Sequence, residues 1–275
     1  MNLKTYSIQM IFVCHVVTNS VSIPIETKNS NNTLNFSPIS AIIKGHKSPM
    51  RPFYVQVYNF RDFSTHETCG GALIRPDWVL TIAECICGTK ITRVGVQIGD
   101  FTDRLKPKAI QPVTERICFS DNPFASAVGL LRLAEPVSVS EDMYFLDVCR
   151  WHAKENELLG TCGMGTVSRD HNMEPVTLRE LYMLEEKGGF FLNYCPVDEI
   201  CTSSISTDSS LCRGDFGGPL YRFFERTTRP MCVYGVSSYT GNEPDEQEDC
   251  IGTHYFANVP FFYDWIVTTI HSHSN

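Results

Sequence analysis

No stretch beyond the N-terminus of this 275-residue chain approaches the roughly 18 apolar residues of a membrane-spanning helix, so helical membrane insertion is excluded. Positive charge is also scarce. The 23 Lys and Arg stand against 31 Asp and Glu, a net charge of -8, and they form no run. That argues against nucleic acid and an anionic membrane surface as partners. Metal-type spacing is missing too: His66, His152, His171 and His254 are too scattered to make a ligand set, so neither a metal nor a cofactor is expected. The sequence contains no internal repeat and no low-complexity tract, in keeping with an ordinary globular fold.

Cysteine, by contrast, is plentiful. Twelve are too many for a reduced cytosolic protein of this size, and they point to disulfides made outside the cytosol. The N-terminus agrees. Lys4 supplies a basic start, Ile8 to Val17 an apolar stretch, and Ser20-Val21-Ser22 small residues for cleavage. Residues 1–22 therefore read as a signal peptide and the mature chain as secreted and extracellular, with a partly buried N-terminal strand as the alternative. Removing Cys14 leaves eleven cysteines: one thiol is free, one bond is intermolecular, or Cys14 is retained. Residues 23–41 mix Ser, Asn, Pro and Thr without periodicity and read as a flexible leader. The sequon Asn31-Asn32-Thr33 within it makes Asn31 a candidate glycan site.

From Ile42 the pattern changes to short β-type runs between turn residues. Phe53–Tyr58, Trp78–Ile82, Val94–Ile98, Val128–Leu133, Val233–Ser238 and His254–Val259 predict an all-β barrel or sandwich. The end differs: Pro260 to His271 predicts a helix, with Phe262, Trp265, Ile266 and Ile270 on one face.

Several segments carry chemistry in a fixed order. Cys69-Gly-Gly-Ala-Leu-Ile74 precedes Trp78-Val-Leu-Thr-Ile-Ala-Glu-Cys85; Gly163-Met-Gly165 and Asp208-Ser-Ser-Leu-Cys-Arg-Gly-Asp-Phe-Gly-Gly-Pro-Leu220 follow; Gly235-Val-Ser-Ser-Tyr239 and Trp265-Ile266 close the series. Together they resemble the chymotrypsin/trypsin serine protease family from Ile42 to the C-terminus. The resemblance implies two six-stranded antiparallel Greek-key β-barrels with a C-terminal α-helix, over residues 42–275. It also implies disulfides Cys69–Cys85, Cys195–Cys201 and Cys212–Cys250. Cys87, Cys118, Cys149, Cys162 and Cys232 stay unassigned. A Cys87–Cys118 bond is open to two of them, and Cys149 resembles the cysteine that tethers a pro-segment in many relatives.

That family's acyl transfer needs a nucleophile, a base to take its proton and a carboxylate to hold the base. By the resemblance these positions fall on Phe216, Glu84 and Ala127. Glu84 accepts a proton in principle, because a buried carboxylate can have a raised pKa, but no Ser, Thr or Cys occupies the nucleophile turn for it to activate. The amides of Gly214 and Phe216 correspond to a vestigial oxyanion hole. Ser210 falls on the floor of the specificity pocket and offers no counter-charge. Tyr239 keeps an aromatic wall, while Thr240 and His254 replace glycines that normally leave the pocket open. Activation of relatives frees an amine that pairs with the aspartate matching Asp215; here Ala41, not a basic residue, precedes Ile42.

The expected function is thus non-catalytic: a secreted pseudoprotease acting by binding, as cofactor, adaptor or decoy. Its partners would be other secreted proteins such as active proteases, proenzymes or inhibitors. The pattern resembles invertebrate homologues that serve in immune, melanisation, adhesive or reproductive settings. Two other classes stay open, a residual serine-type endopeptidase and a recognition module for microbial surfaces. Phe190-Phe191 and the acidic run Glu243–Asp249 are further candidate contact segments, against readings as core and solvated loop.

Overall fold

Two closed sheets are built from the β-type runs. The computed structural model describes residues 42–49, 51–60, 66–87, 91–99, 110–120, 127–138, 144–154, 157–165, 177–185, 195–206, 209–212, 214–240 and 253–273. The signal segment, the leader with Asn31, Phe190-Phe191 and the acidic run with Cys250 lie outside the described residues.

A short strand β1 (His46–Lys47) precedes the first barrel. That barrel contains β2 (Tyr54–Phe60), β3 (His66–Arg75), β4 (Trp78–Ile82), β5 (Arg93–Ile98), β6 (Gln111–Cys118) and β7 (Val128–Leu133). It closes in the order β2-β3-β4-β7-β6-β5, with every pairing antiparallel. The β3–β4 turn uses Pro76-Asp77, residues suited to a tight reversal. β2 is buried along almost its whole length, whereas β6 alternates between half-buried and exposed, the period-2 signature of a strand with one wet face.

The second barrel contains β9 (Leu158–Gly163), β10 (Arg179–Glu185), β11 (Glu199–Ser204), β12 (Pro219–Phe223), β13 (Pro230–Thr240) and β14 (His254–Asn258). It runs β10-β11-β14-β13-β12-β9, and the β10–β9 pairing closes it. β1 adds to the edge of β10, and the two-residue β8 (Asp147–Val148) pairs in parallel with β13. The helix α1 spans Val259–Ser272; its buried Val259, Phe262, Ile266 and Thr269 recur every three to four residues. Val259, expected to end a strand, instead opens this helix, with Pro260 at a first-turn position that needs no N–H donor.

Cysteines tie these elements as the resemblance implies at Cys69–Cys85 and Cys195–Cys201. Cys87–Cys118 also forms. Cys149 is not positioned as a pro-segment tether: it bonds Cys232, because β8 lays it beside β13. Cys212 is disulfide-bonded to a partner outside the described residues. Among the described residues, Cys162 is the free cysteine, and it is buried.

Candidate functional site

The loops that carry Glu84, Ala127 and Phe216 meet through backbone contacts. Glu84 lies in a single 3-10 turn, Ala83–Cys85, directly after β4. The Ala83 amide donates to the Ala127 carbonyl at 2.8 Å, which brings the second position to the first. The Cys69–Cys85 bond anchors the same turn to β3. One residue on, the Gly70 amide donates to the Phe216 carbonyl at 2.7 Å. A Cβ on Gly70 would sit 2.7 Å from the Cα of Gly218, so glycine is what lets β3 approach this turn. Gly214 and Gly217 take φ of +94° and +78°, the left-handed region that side chains avoid.

The side chains at these three positions differ in character. Glu84 is exposed, not buried as the proton-acceptor argument assumes, because its turn buries only Ala83 and Cys85. Its carboxyl is nonetheless raised above the ordinary value, first by partial desolvation and then by the charge of Glu67. The Ala127 methyl is buried in the main hydrophobic core, which draws on both barrels, so the spot matching an orienting carboxylate is apolar. The Phe216 ring is half-buried and rests against that same core. Among the described residues, neither the Gly214 nor the Phe216 amide donates a backbone hydrogen bond. No hydroxyl stands at this turn, where residue 216 is phenylalanine.

Asp215 is buried beneath this turn. Its Oδ1 accepts from the Gly165 amide at 2.7 Å and its Oδ2 from the Cys212 amide at 3.0 Å. A Cβ on Gly165 would fall 2.6 Å from the Asp215 carboxyl carbon, which explains glycine in the Gly-Met-Gly turn. Ile42 is fully buried with φ of +51°, a strained value for a β-branched residue, and Ile43 bridges to Ser210.

Ser210 and His254, the positions that the resemblance assigns to a specificity pocket, are both buried and touch: Ser210 Oγ lies 3.2 Å from His254 Nε2. The Ser210 hydroxyl also donates to the Leu211 carbonyl at 3.1 Å. His254 Nδ1 has no partner among the described residues. Burial lowers the His254 pKa to about 4, so the ring is neutral at pH 7. Backbone pairing sets Thr240 opposite His254, while the side chains of Tyr239 and Thr240 lie outside the described residues.

A family model described as Trypsin matches residues 42–266. The chain belongs to the trypsin family. Among trypsin-family relatives it is 27% identical to Duodenase-1 of Bos taurus over 83% of this chain and 89% of that protein. It is 26% identical to Granzyme E of Mus musculus over 82% and 89% respectively. Ovochymase of Halocynthia roretzi is 30% identical over 73% of this chain, a match spanning 13% of that much longer protein. The solved structure titled human heparin binding protein superposes with a TM-score of 0.66 at 20% identity, over 84% of this chain and 97% of that one, which shows the trypsin-like fold.

Two expectations arise from the Ser210–His254 contact in this trypsin-family chain. The first concerns pH. An unfolded His254 titrates near 6.5 and the folded one near 4, so the unfolded state binds more protons between those values. Stability is therefore full above pH 6.5 and falls as pH drops toward 4, by roughly 2–3 kcal/mol between pH 7 and pH 4.5. Urea unfolding at the two pH values, beside His254→Gln, checks this: the variant should lose about that much less. The second concerns ligands. Benzamidine, a cationic ring, is expected not to bind below millimolar concentration, whereas His254→Gly with Ser210→Asp should bring binding into the micromolar range by calorimetry.

One interior cluster carries no sequence signal. Arg51, Glu180 and Tyr221 meet in the interior, with Arg51 Nη2 donating to Glu180 Oε1 at 2.6 Å and the Tyr221 hydroxyl donating to the same oxygen. Arg51 and Glu180 stand 129 residues apart, and no local signal marks either.

Proposed function

We propose that this chain is a secreted, non-catalytic serine protease homologue of the invertebrate type, acting by binding other secreted proteins as cofactor, adaptor or decoy. The observation that carries this reading is the Phe216 ring at the nucleophile turn, resting on the core where a reactive hydroxyl would stand. Exposed Glu84 and buried Ala127 point the same way, since neither base nor orienting carboxylate is supplied. His254 seated on Ser210 fills the floor of the pocket a substrate side chain would enter. Disulfides at Cys69, Cys87, Cys149 and Cys195 suit an oxidising, extracellular setting.

The chain also stays single. Asp215 already receives two backbone amides, and no basic residue precedes Ile42 for a trypsin-like activator. Intact mass of the secreted protein is expected to show no species beginning at Ile42. Affinity capture from the native secretion should recover proteases, proenzymes or inhibitors. Recovery of cell-wall material alone would instead favour recognition of microbial surfaces.

A further inference from the structure

Away from the cleft, α1 leans over β3 and β8 and leaves a cavity of about 220 Å³. Ile74, Val148, Val267 and Ile270 form its aliphatic walls, and Arg75 and His271 complete the lining. Val267, Ile270 and His271 lie three and four residues apart and so share one face of the helix. Val267 is 39% exposed and Ile74 only 1%, so the cavity has a buried floor and an open mouth.

The polar side chains lining that mouth are Arg75 and His271, and Arg75 pairs with the exposed carboxylate of Asp147. Arg75 Nη1 donates to the Ile74 carbonyl at 2.8 Å and to Asp147 at 3.0 Å; among the described residues its Nε and Nη2 have no partner. One helical turn before Val267, Tyr263 supports Arg150, whose guanidinium carbon lies 5.6 Å from that ring and 5.0 Å from the Trp151 ring. Arg150 has no carboxylate partner among the described residues, and Trp151 is 70% exposed.

We infer that this groove binds a medium-chain aliphatic carboxylate, its hydrocarbon chain among Ile74, Val148, Val267 and Ile270 and its carboxylate on the open edge of Arg75. Pockets for drug-sized ligands run from roughly 300 to 1,000 Å³, so this smaller volume suits a slim single chain and not a ring system. The Nε and Nη2 edge of Arg75, left over from its Nη1 bond to Asp147, selects a carboxylate head, because a guanidinium edge matches the two carboxylate oxygens.

Octanoate titrated into the intact protein at pH 7 is expected to bind saturably at one site, with octanol at least tenfold weaker. Arg75→Gln should weaken octanoate at least tenfold, and Val267→Phe, which fills the cavity from a half-exposed position, should do the same while leaving Tm unchanged. Methyl NMR shifts confined to Ile74, Val148, Val267 and Ile270 would place the chain even if a variant fails to fold. Free octanoate should bind without the protein sedimenting on phosphatidylglycerol vesicles. Absence of saturable binding up to roughly 1 mM, shifts elsewhere, equal affinity in both variants, or vesicle binding without octanoate binding would each overturn the site.

Discussion

Replacing Arg51 with leucine is expected to destabilise the fold by about 3–5 kcal/mol, since it strands a carboxylate in the interior. For a domain of this size that is a fall of roughly 10 °C in Tm. Glu180 is fully buried on β10, and its Oε1 receives both the Arg51 guanidinium and the Tyr221 hydroxyl. Burial alone would lower the Arg51 pKa, but the Glu180 carboxylate, by its charge and its hydrogen bond, overrides it and keeps the guanidinium charged. Burial likewise pushes the Tyr221 phenol and the neighbouring Cys162 thiol well above their ordinary ranges, so both stay protonated. Glu180 Oε2 has no partner among the described residues, and losing Arg51 as well would leave the carboxylate with Tyr221 alone. The combined Arg51→Met, Glu180→Leu and Tyr221→Phe variant should recover most of the loss, because it removes every polar member together. A Tm of Arg51→Leu within about 1 °C of the parent would show that the cluster does not hold the interior as described.

Phe216→Ser should restore no measurable peptidase activity. A serine at this turn still lacks a base at Glu84 and an orienting carboxylate at Ala127, and such stripped sites run about 10⁶-fold below an intact triad. The backbone around it is a different matter. The Ala83–Ala127 and Gly70–Phe216 hydrogen bonds hold the three positions together whatever side chains they carry. Glu84→His, Ala127→Asp and Phe216→Ser introduced together are therefore expected to yield a chain that reacts covalently with a fluorophosphonate, while the single Phe216→Ser variant does not. Reaction of the single variant at a rate near that of the triple would mean that another residue acts as base.

The features legible in the sequence are those that local rules or motif order could carry. The Gly-Asp-Phe-Gly-Gly turn announces itself because glycine is required at its positive-φ positions and where β3 presses against it. The stripe of Phe262 and Ile266 announced α1, and the strand runs announced the barrels. Bonds that depend on closure of the barrels were not legible. Cys149 and Cys232 are 83 residues apart and meet only because β8 pairs with β13. The Arg51–Glu180 pair likewise exists only once β10 and the segment before β2 share an interior. Glu84 shows the reverse error: its motif neighbours Ala83 and Cys85 are buried, and a three-residue turn still leaves it facing water.

The absence of catalysis is tested most directly by exposing the natural secreted chain to a fluorophosphonate, beside an active trypsin-family protease, and reading the mass of each. The chain should keep its unmodified mass while the control is labelled fully; a stoichiometric adduct on any residue of the chain would contradict the account.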